Sequence, residues 1–151
     1  MRRALSAYLA GVAAGGCVVK EVRPYVAKWL RELGYVKDGV VELPRRYCRL
    51  SPTSLIEHVY FLKGAFETYG EFFAGDPHRG DVVAIFKVGS RKVAKSLKLL
   101  GIDPLETTDE AGASRYVVVY RRRDVRRFVK VVKPVVDDVH VARLLGLCGR
   151  W

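Results

Sequence analysis

Hydrophobic positions along this chain change their period several times, and each change marks an element. Leu5, Tyr8, Leu9 and Val12 recur at helical spacing until Gly15-Gly16, which predicts a helix over residues 4–14. Residues 21–33 predict a second helix, with Pro24 in its first turn and Gly34 as its C-terminal cap. Two short strands are expected around Pro44, at residues 40–43 and 47–50. Ser51 and Pro52 then read as the N-cap and first position of a long helix striped by Leu55, Val59, Leu62 and Phe66. Alternation at residues 71–74 and 81–88 predicts a hairpin about the turn-rich segment 75–80. Ser90 opens a helix over 91–100 that Gly101 ends. Strands at 104–107 and 115–120, then helices at 124–132 and 137–147, complete the series.

Two phrases in this pattern occur twice. Val26-Ala27-Lys28-Trp29-Leu30-Arg31-Glu32-Leu33-Gly34 returns as Val93-Ala94-Lys95-Ser96-Leu97-Lys98-Leu99-Leu100-Gly101, at an offset of 67 residues. Tyr8-Leu9-Ala10-Gly11 returns as Phe61-Leu62-Lys63-Gly64, at an offset of 53. Repeats in a constant order imply a duplicated unit with an internal pseudo-two-fold. The two offsets differ by about the length of a β-hairpin, so the first half is expected to read α-α-β-β and to lack the first hairpin of the second half. The expected organisation is one domain of two pseudo-repeats: an incomplete one over about 1–50, a complete one over about 51–135, and a C-terminal helix over 136–151.

Charge changes the picture more than size does. The chain has 151 residues and a formal net charge of +11. Such a surplus points to a polyanionic partner. It contains no Asn and no Gln and only one Met. Loss of heat-labile amides with 28% charged residues is the composition of a hyperthermophile. Ion-pair networks do not need a one-sided surplus, so nucleic acid is favoured as the partner. Met1-Arg2-Arg3 followed by an uncharged run over 4–19 imitates a secretory signal. The run is short for a membrane span, and it is read as a buried helix of a cytoplasmic protein with no membrane association.

Most site chemistry is missing. Cys17, Cys48 and Cys148 have no C-x-x-C spacing and an odd count, which supports neither a zinc site nor a full disulfide framework. A single bridge remains compatible with a hyperthermophile. His58, His78 and His140 lack ligand spacing, and residues 11–16 lack the Lys-Ser/Thr ending of a phosphate loop. No cofactor or metal is expected, and no catalytic residue is assigned.

A duplicated αββαββα unit whose opening helices carry a Leu-x-Gly phrase resembles the LAGLIDADG homing-endonuclease superfamily, in particular the WhiA-type regulators with a degenerate version of that domain. The carrying residues are Phe61-Leu62-Lys63-Gly64-Ala65-Phe66, Gly70, the Asp76-Pro77 and Gly80 turn, the helix end at Leu97–Gly101, the strand Tyr116-Val117-Val118-Val119-Tyr120, and the helix over 124–132. The resemblance covers residues 51–134 well and 4–50 weakly. It implies an α+β fold with antiparallel or mixed sheets packed against helices, and a central pair of helices whose close approach would use Gly11 and Gly64. It also implies an acid just before the terminal glycine of each central helix, where paired carboxylates hold divalent metal for phosphodiester cleavage. The matching positions here are Gly15 or Gly16, and Tyr69. Glu67 lies off the required face and Glu71 has no counterpart, so metal-assisted cleavage is expected to be lost.

The basic clusters carry the functional expectation. Arg121, Arg122, Arg123, Arg126 and Arg127 fall within seven residues at a strand-to-helix junction. Lys87, Arg91 and Lys92 form a second group, Arg45 and Arg46 a third, and Arg115 opens a strand. Guanidinium forks match phosphate oxygens bidentately, so these eleven residues are the expected nucleic-acid contacts. Both faces of the strands at 81–88 and 115–120 are apolar at mid-strand, and the usual adenine readers are missing. Phosphate or shape recognition is therefore expected over base readout, or one face of the sheet is covered by a second copy or a catalytic partner chain. The expected function is a catalytically inactive nucleic-acid-binding protein and, as the WhiA likeness implies, a regulator. The alternatives are a non-catalytic subunit of an RNA- or DNA-processing complex, and a divergent endonuclease using Glu67 or Glu71.

Overall fold

The structure is a computed structural model that describes residues 2–74, 82–109, 111–112 and 114–135. The expected helix over 137–147, the turn at 75–80, and Cys148, His78 and His140 lie outside the described residues.

Helix α1 (Arg2–Val12) runs into a single 3₁₀ turn (Ala13–Gly15). Strand β1 (Val18–Val19), helix α2 (Pro24–Glu32), strands β2 (Val36–Lys37) and β3 (Val40–Glu42), and helix α3 (Arg45–Arg49) follow. The second half contains α4 (Leu55–Tyr69), β4 (Gly70–Ala74), β5 (Val82–Phe86), α5 (Arg91–Leu99), β6 (Leu105–Thr108), β7 (Arg115–Val119) and α6 (Arg122–Val132). All paired strands are antiparallel, in a three-stranded sheet of order β1-β3-β2 and a four-stranded sheet of order β4-β5-β7-β6. The α+β class and the α-β-β-α-β-β-α order of the second half agree with the sequence pattern.

Three local expectations are corrected. The segment at 47–50 is not a strand: Arg45–Arg49 is helical, entered from Pro44 at its N-cap. The N-cap of α4 is Ser54, not Ser51. Its hydroxyl accepts the Glu57 N–H at 3.2 Å while the Glu57 carboxylate accepts the Ser54 N–H at 3.0 Å. This reciprocal box satisfies two donors that a cap at Ser51 would have left open. Finally, the first hairpin is halved rather than absent in the first half. Strand β1 pairs with β3 as β5 pairs with β7, and only a counterpart of β4 is missing.

Two hydrophobic clusters meet at the α1–α4 seam. One gathers Phe61, Leu62, Phe66, Phe72, Phe86, Leu97, Val117 and Phe128 beneath the four-stranded sheet. Phe66 sits at its centre, with ring centroids 4.7 Å from Phe72, 5.2 Å from Phe86 and 5.1 Å from Phe128. These are tilted and edge-to-face contacts, the arrangements that the ring quadrupole favours. The other cluster gathers Tyr8, Leu9, Val12, Val26, Leu30, Val41, Leu43 and Tyr47. The apolar N-terminal run is thus the buried face of α1. A disulfide between Cys17 and Cys48, with Cα atoms 5.7 Å apart, ties the segment after α1 to α3.

Candidate nucleic-acid interface

The seam is built on two glycines. A Cβ at Gly11 would overlap the Phe61 carbonyl oxygen and lie 2.7 Å from the Ala65 nitrogen; one at Gly64 would overlap the Tyr8 carbonyl oxygen. The 53-residue offset of the sequence repeat relates both the glycines and the carbonyls they approach. Backbone meets backbone, and only a residue without Cβ permits that approach.

At the C-terminal ends of α1 and α4 the residues do not suit a metal. Gly15 and Gly16 offer no side-chain donor on one side, and Tyr69 stands on the other. The Tyr69 hydroxyl donates to the Val12 carbonyl at 2.6 Å and accepts the Gly15 N–H at 3.1 Å, so it closes the end of α1. Burial pushes its pKa up, against a smaller lowering by the Gly15 N–H. The end of α4 is closed by Arg23, whose guanidinium donates to the carbonyls of Phe66 (3.2 Å), Glu67 (2.7 Å) and Gly70. A cation thus caps the negative end of the helix, adding to the Gly70 N–H at the Phe66 carbonyl and satisfying the carbonyl of Glu67 beyond it. Sequence reasoning missed Arg23, because its partners lie more than forty residues away and nothing local marks it.

The acids near this point are committed elsewhere. Glu67 is buried: it accepts the Tyr8 hydroxyl at 2.5 Å, pairs with Lys63 at 2.8 Å, and accepts the Val135 N–H at 3.1 Å. Burial first, and then the Glu67 charge, raise the Tyr8 pKa, so the phenol stays protonated as the donor. Glu71 pairs with Lys87 at 2.7 Å. Among the described residues no group of three or more His, Cys, Asp or Glu is placed to hold a metal ion.

The eleven basic positions fall into three places. At the β7–α6 junction, Arg121, Arg122 and Arg123 occupy the N-cap and first two positions of α6, with Arg126 exposed one turn on. Arg121 reaches Asp103 at 3.5 Å, and the Arg123 Nε lies 3.8 Å from buried Asp124. Arg127 turns away and donates to the Leu100 carbonyl at 2.6 Å, fastening α6 to the end of α5. At the opposite end of the four-stranded sheet stand Lys87, after β5, and Arg115, at the start of β7, with Arg115 packed against Gly89. The third place is the α3–α5 contact, where Lys92 donates to the Leu50 carbonyl at 3.0 Å. Arg45 and Arg46 are exposed on α3 and Arg91 opens α5; the Arg46 guanidinium lies over the Tyr47 ring at 4.6 Å. Lys92 and Arg127 are thus engaged by helix-end carbonyls.

Between the Lys87 and Arg121 ends lies the outer face of the four-stranded sheet. Buried Phe72, Val82, Ala84, Phe86, Val117 and Val119 alternate with outward Phe73, Val83, Ile85, Tyr116 and Val118. Register places Glu71, Ile85, Val118 and Leu105 in one row across the sheet, and Phe73 opposite Val83 in the next. Phe73 is 42% exposed, Tyr120 44% and Leu105 51%.

Two central helices meeting through glycines, flanked by antiparallel sheets, define a LAGLIDADG-like α+β fold. Solved structures bear this out. The chain is similar to the N-terminal LAGLIDADG domain of DUF199/WhiA, with a TM-score of 0.68 and 13% identity, covering 95% of this chain and 88% of that one. Full-length DUF199/WhiA from Thermotoga maritima gives 0.64 and 13% over 99% of this chain; the chain spans 63% of that protein's length. The homing endonuclease I-DmoI, solved with DNA and Mn, gives 0.53 and 19%, covering 89% of this chain and 99% of that one. No family model and no curated protein matches the chain. Among the described residues no helix is long and apolar enough to cross a membrane.

Proposed function

We propose that this chain is a nucleic-acid-binding protein on a LAGLIDADG-like scaffold that does not cut its ligand and binds it mainly through phosphate contacts. The observation that carries the reading is Tyr69. Its phenol, bridging Val12 and Gly15, occupies the position where the fold's nucleases need a carboxylate, and glycines stand at the other. The two pseudo-repeats, over about 1–50 and 51–135, form one unit in this reading, a cytoplasmic regulator in a hyperthermophile.

Support for binding comes from the net charge of +11 and from the exposed guanidinium groups at the β7–α6 junction. Phosphate contacts release counterions, so affinity falls steeply with salt. The test is fluorescence anisotropy with labelled nucleic acids across a salt series. Affinity weakening by about 10³-fold or more between 50 and 200 mM salt is expected for six or more contacts, and Arg122→Ala with Arg126→Ala reduces the salt slope by about 2. No binding of any probe at low salt overturns the reading. Incubation with plasmid and Mg²⁺ or Mn²⁺ at high temperature is expected to leave the DNA intact, and cleavage abolished by Glu67→Gln or Glu71→Gln would establish the endonuclease reading instead.

A second reading rests on the exposed Phe73, Leu105 and Tyr120. A non-catalytic subunit would cover this apolar face with a second copy or a partner chain. Sedimentation distinguishes it, since a monomer in solution removes self-pairing.

A further inference from the structure

Resting on the nucleic-acid reading, we infer that the outer face of the four-stranded sheet is a stacking platform for single-stranded nucleic acid rather than a surface for reading a duplex. The face is unsuited to a duplex. A duplex presents hydrated phosphates and groove edges, and its recognition needs hydrogen-bonding side chains directed at those edges. The row across mid-sheet offers Ile85, Val118 and Leu105, with Glu71 at one end as its only polar member. Pressing a groove on that row would strip water from polar groups and return nothing.

An unpaired strand presents the opposite chemistry, apolar base faces beside a charged backbone. Three aromatic side chains serve the first requirement. Phe73 projects outward from β4, Tyr116 from β7, and exposed Tyr120 follows β7 directly. Ala84 pairs with Val119 and Phe73 with Val83, so the register carries Tyr120 alongside Val83 in the Phe73 row. Two interstrand steps separate Phe73 and Tyr120, about 10 Å. Every base has a π-face, so stacking of this kind tolerates any sequence, in keeping with a chain that has no Asn or Gln.

Cations beside the rings serve the second requirement. The Lys87 ammonium lies 5.7 Å from the Phe73 ring centroid, and the Arg121 guanidinium 5.6 Å from that of Tyr120. They stand at opposite ends of the face, with exposed Arg115 beside the Lys87 end. Each is held in place by one carboxylate, Glu71 or Asp103, in surface pairs weak enough for a phosphate to compete. The same charge argues against a second copy as occupant: self-pairing would press together two chains of +11 each, whereas a polyanion is drawn in.

The experiment uses the full chain with four labelled probes: oligo-dT, oligo-U, a duplex DNA and a duplex RNA. Expected are affinities at least tenfold tighter for the single strands than for the duplexes. Phe73→Ala and Tyr120→Ala each weaken single-strand binding about tenfold while changing duplex binding less than twofold, and Tyr120→Phe binds as wild type. Oligo-U against oligo-dT then tells whether the 2′-hydroxyl contributes. Circular dichroism and thermal unfolding establish that the variants fold; where Phe73→Ala does not, Phe73→Tyr and the exposed Tyr120 carry the test. Duplexes binding as tightly as single strands, or aromatic variants indistinguishable from wild type on oligo-dT and oligo-U, overturn the inference and leave nucleic-acid binding standing. Failure of all four probes at low salt overturns both. A dimer that dissociates on Tyr120→Ala without change in single-strand affinity assigns the face to a second copy and also overturns the inference.

Discussion

Gly11 and Gly64 approach each other's helices reciprocally, each lying where a Cβ would overlap a main-chain carbonyl of the other helix. The carbonyls belong to Phe61 and Tyr8, three residues before Gly64 and Gly11 in turn, so one local geometry is used twice.

Gly11→Ala or Gly64→Ala is therefore expected to cost about 3 kcal/mol or more, at the upper end of overpacking because the obstacle is backbone. The double variant should cost less than the sum, because the first methyl group already separates the helices. Denaturant midpoints at constant slope check both statements.

Removing the Tyr69 hydroxyl leaves the Val12 carbonyl and the Gly15 N–H without their partner. Tyr69→Phe is expected to lose about 1–2 kcal/mol. Arg23→Met removes the guanidinium from the carbonyls of Glu67 and Gly70, while that of Phe66 keeps the Gly70 N–H, and should lose about 2–3 kcal/mol. Thermal unfolding compared with wild type measures each.

Glu67 holds Tyr8, Lys63 and Val135 together from a side chain that is 4% exposed. Glu67→Ala is expected to cost about 3 kcal/mol, the low end for breaking a buried pair, because Lys63 can still reach water. Tyr8→Phe with Glu67→Ala should cost little more than Glu67→Ala alone. A double-mutant cycle reads that coupling directly.

Acid should weaken the fold in two separate windows. His58 is buried on α4 with its Nδ1 2.8 Å from the Ser96 hydroxyl of α5. Burial, and then the nearby Lys95 ammonium, hold its pKa below the ordinary 6.5, with Glu57 opposing. Below about 6.5 the unfolded chain takes up this proton and the folded chain resists it. Stability is therefore complete above that pH and falls as pH drops toward the folded value. Glu57, held at about 2 by the Ser54 N–H and then by Thr53, loses its contribution only as pH falls from about 4.5 through 2. Unfolding free energies between pH 7.5 and 5 should slope downward in wild type and flatten in His58→Gln.

The central helices were legible because their contact is local in kind: a glycine three residues after a large apolar side chain, written twice. The β2–β3 turn is equally legible in the sequence. Asp38-Gly39 adopts positive φ at both residues, 53° and 76°, as the tightest hairpin turn requires. The residues after Pro44 read as a strand from sequence because Tyr47 favours strands when taken alone. What decides them is the burial of Tyr47 and the bridge from Cys48 to Cys17. Strand β1 has only two residues and exists through its pairing with β3, which no neighbouring residue announces. Among the basic clusters, composition gave the cations but not their employment: Lys92 and Arg127 look like their neighbours in sequence, and only tertiary structure turns them onto helix-end carbonyls.

The guanidinium of Arg23 decides what an acid at residue 69 would meet. It grips the main chain on both sides of residue 69, so an aspartate placed there would meet a resident cation before it met a dissolved one. A paired-carboxylate cation site at this point would need a second acid in the glycine turn and the departure of Arg23, and that departure unfastens α4. An acid introduced at residue 69 alone is therefore spent on an ion pair inside the protein.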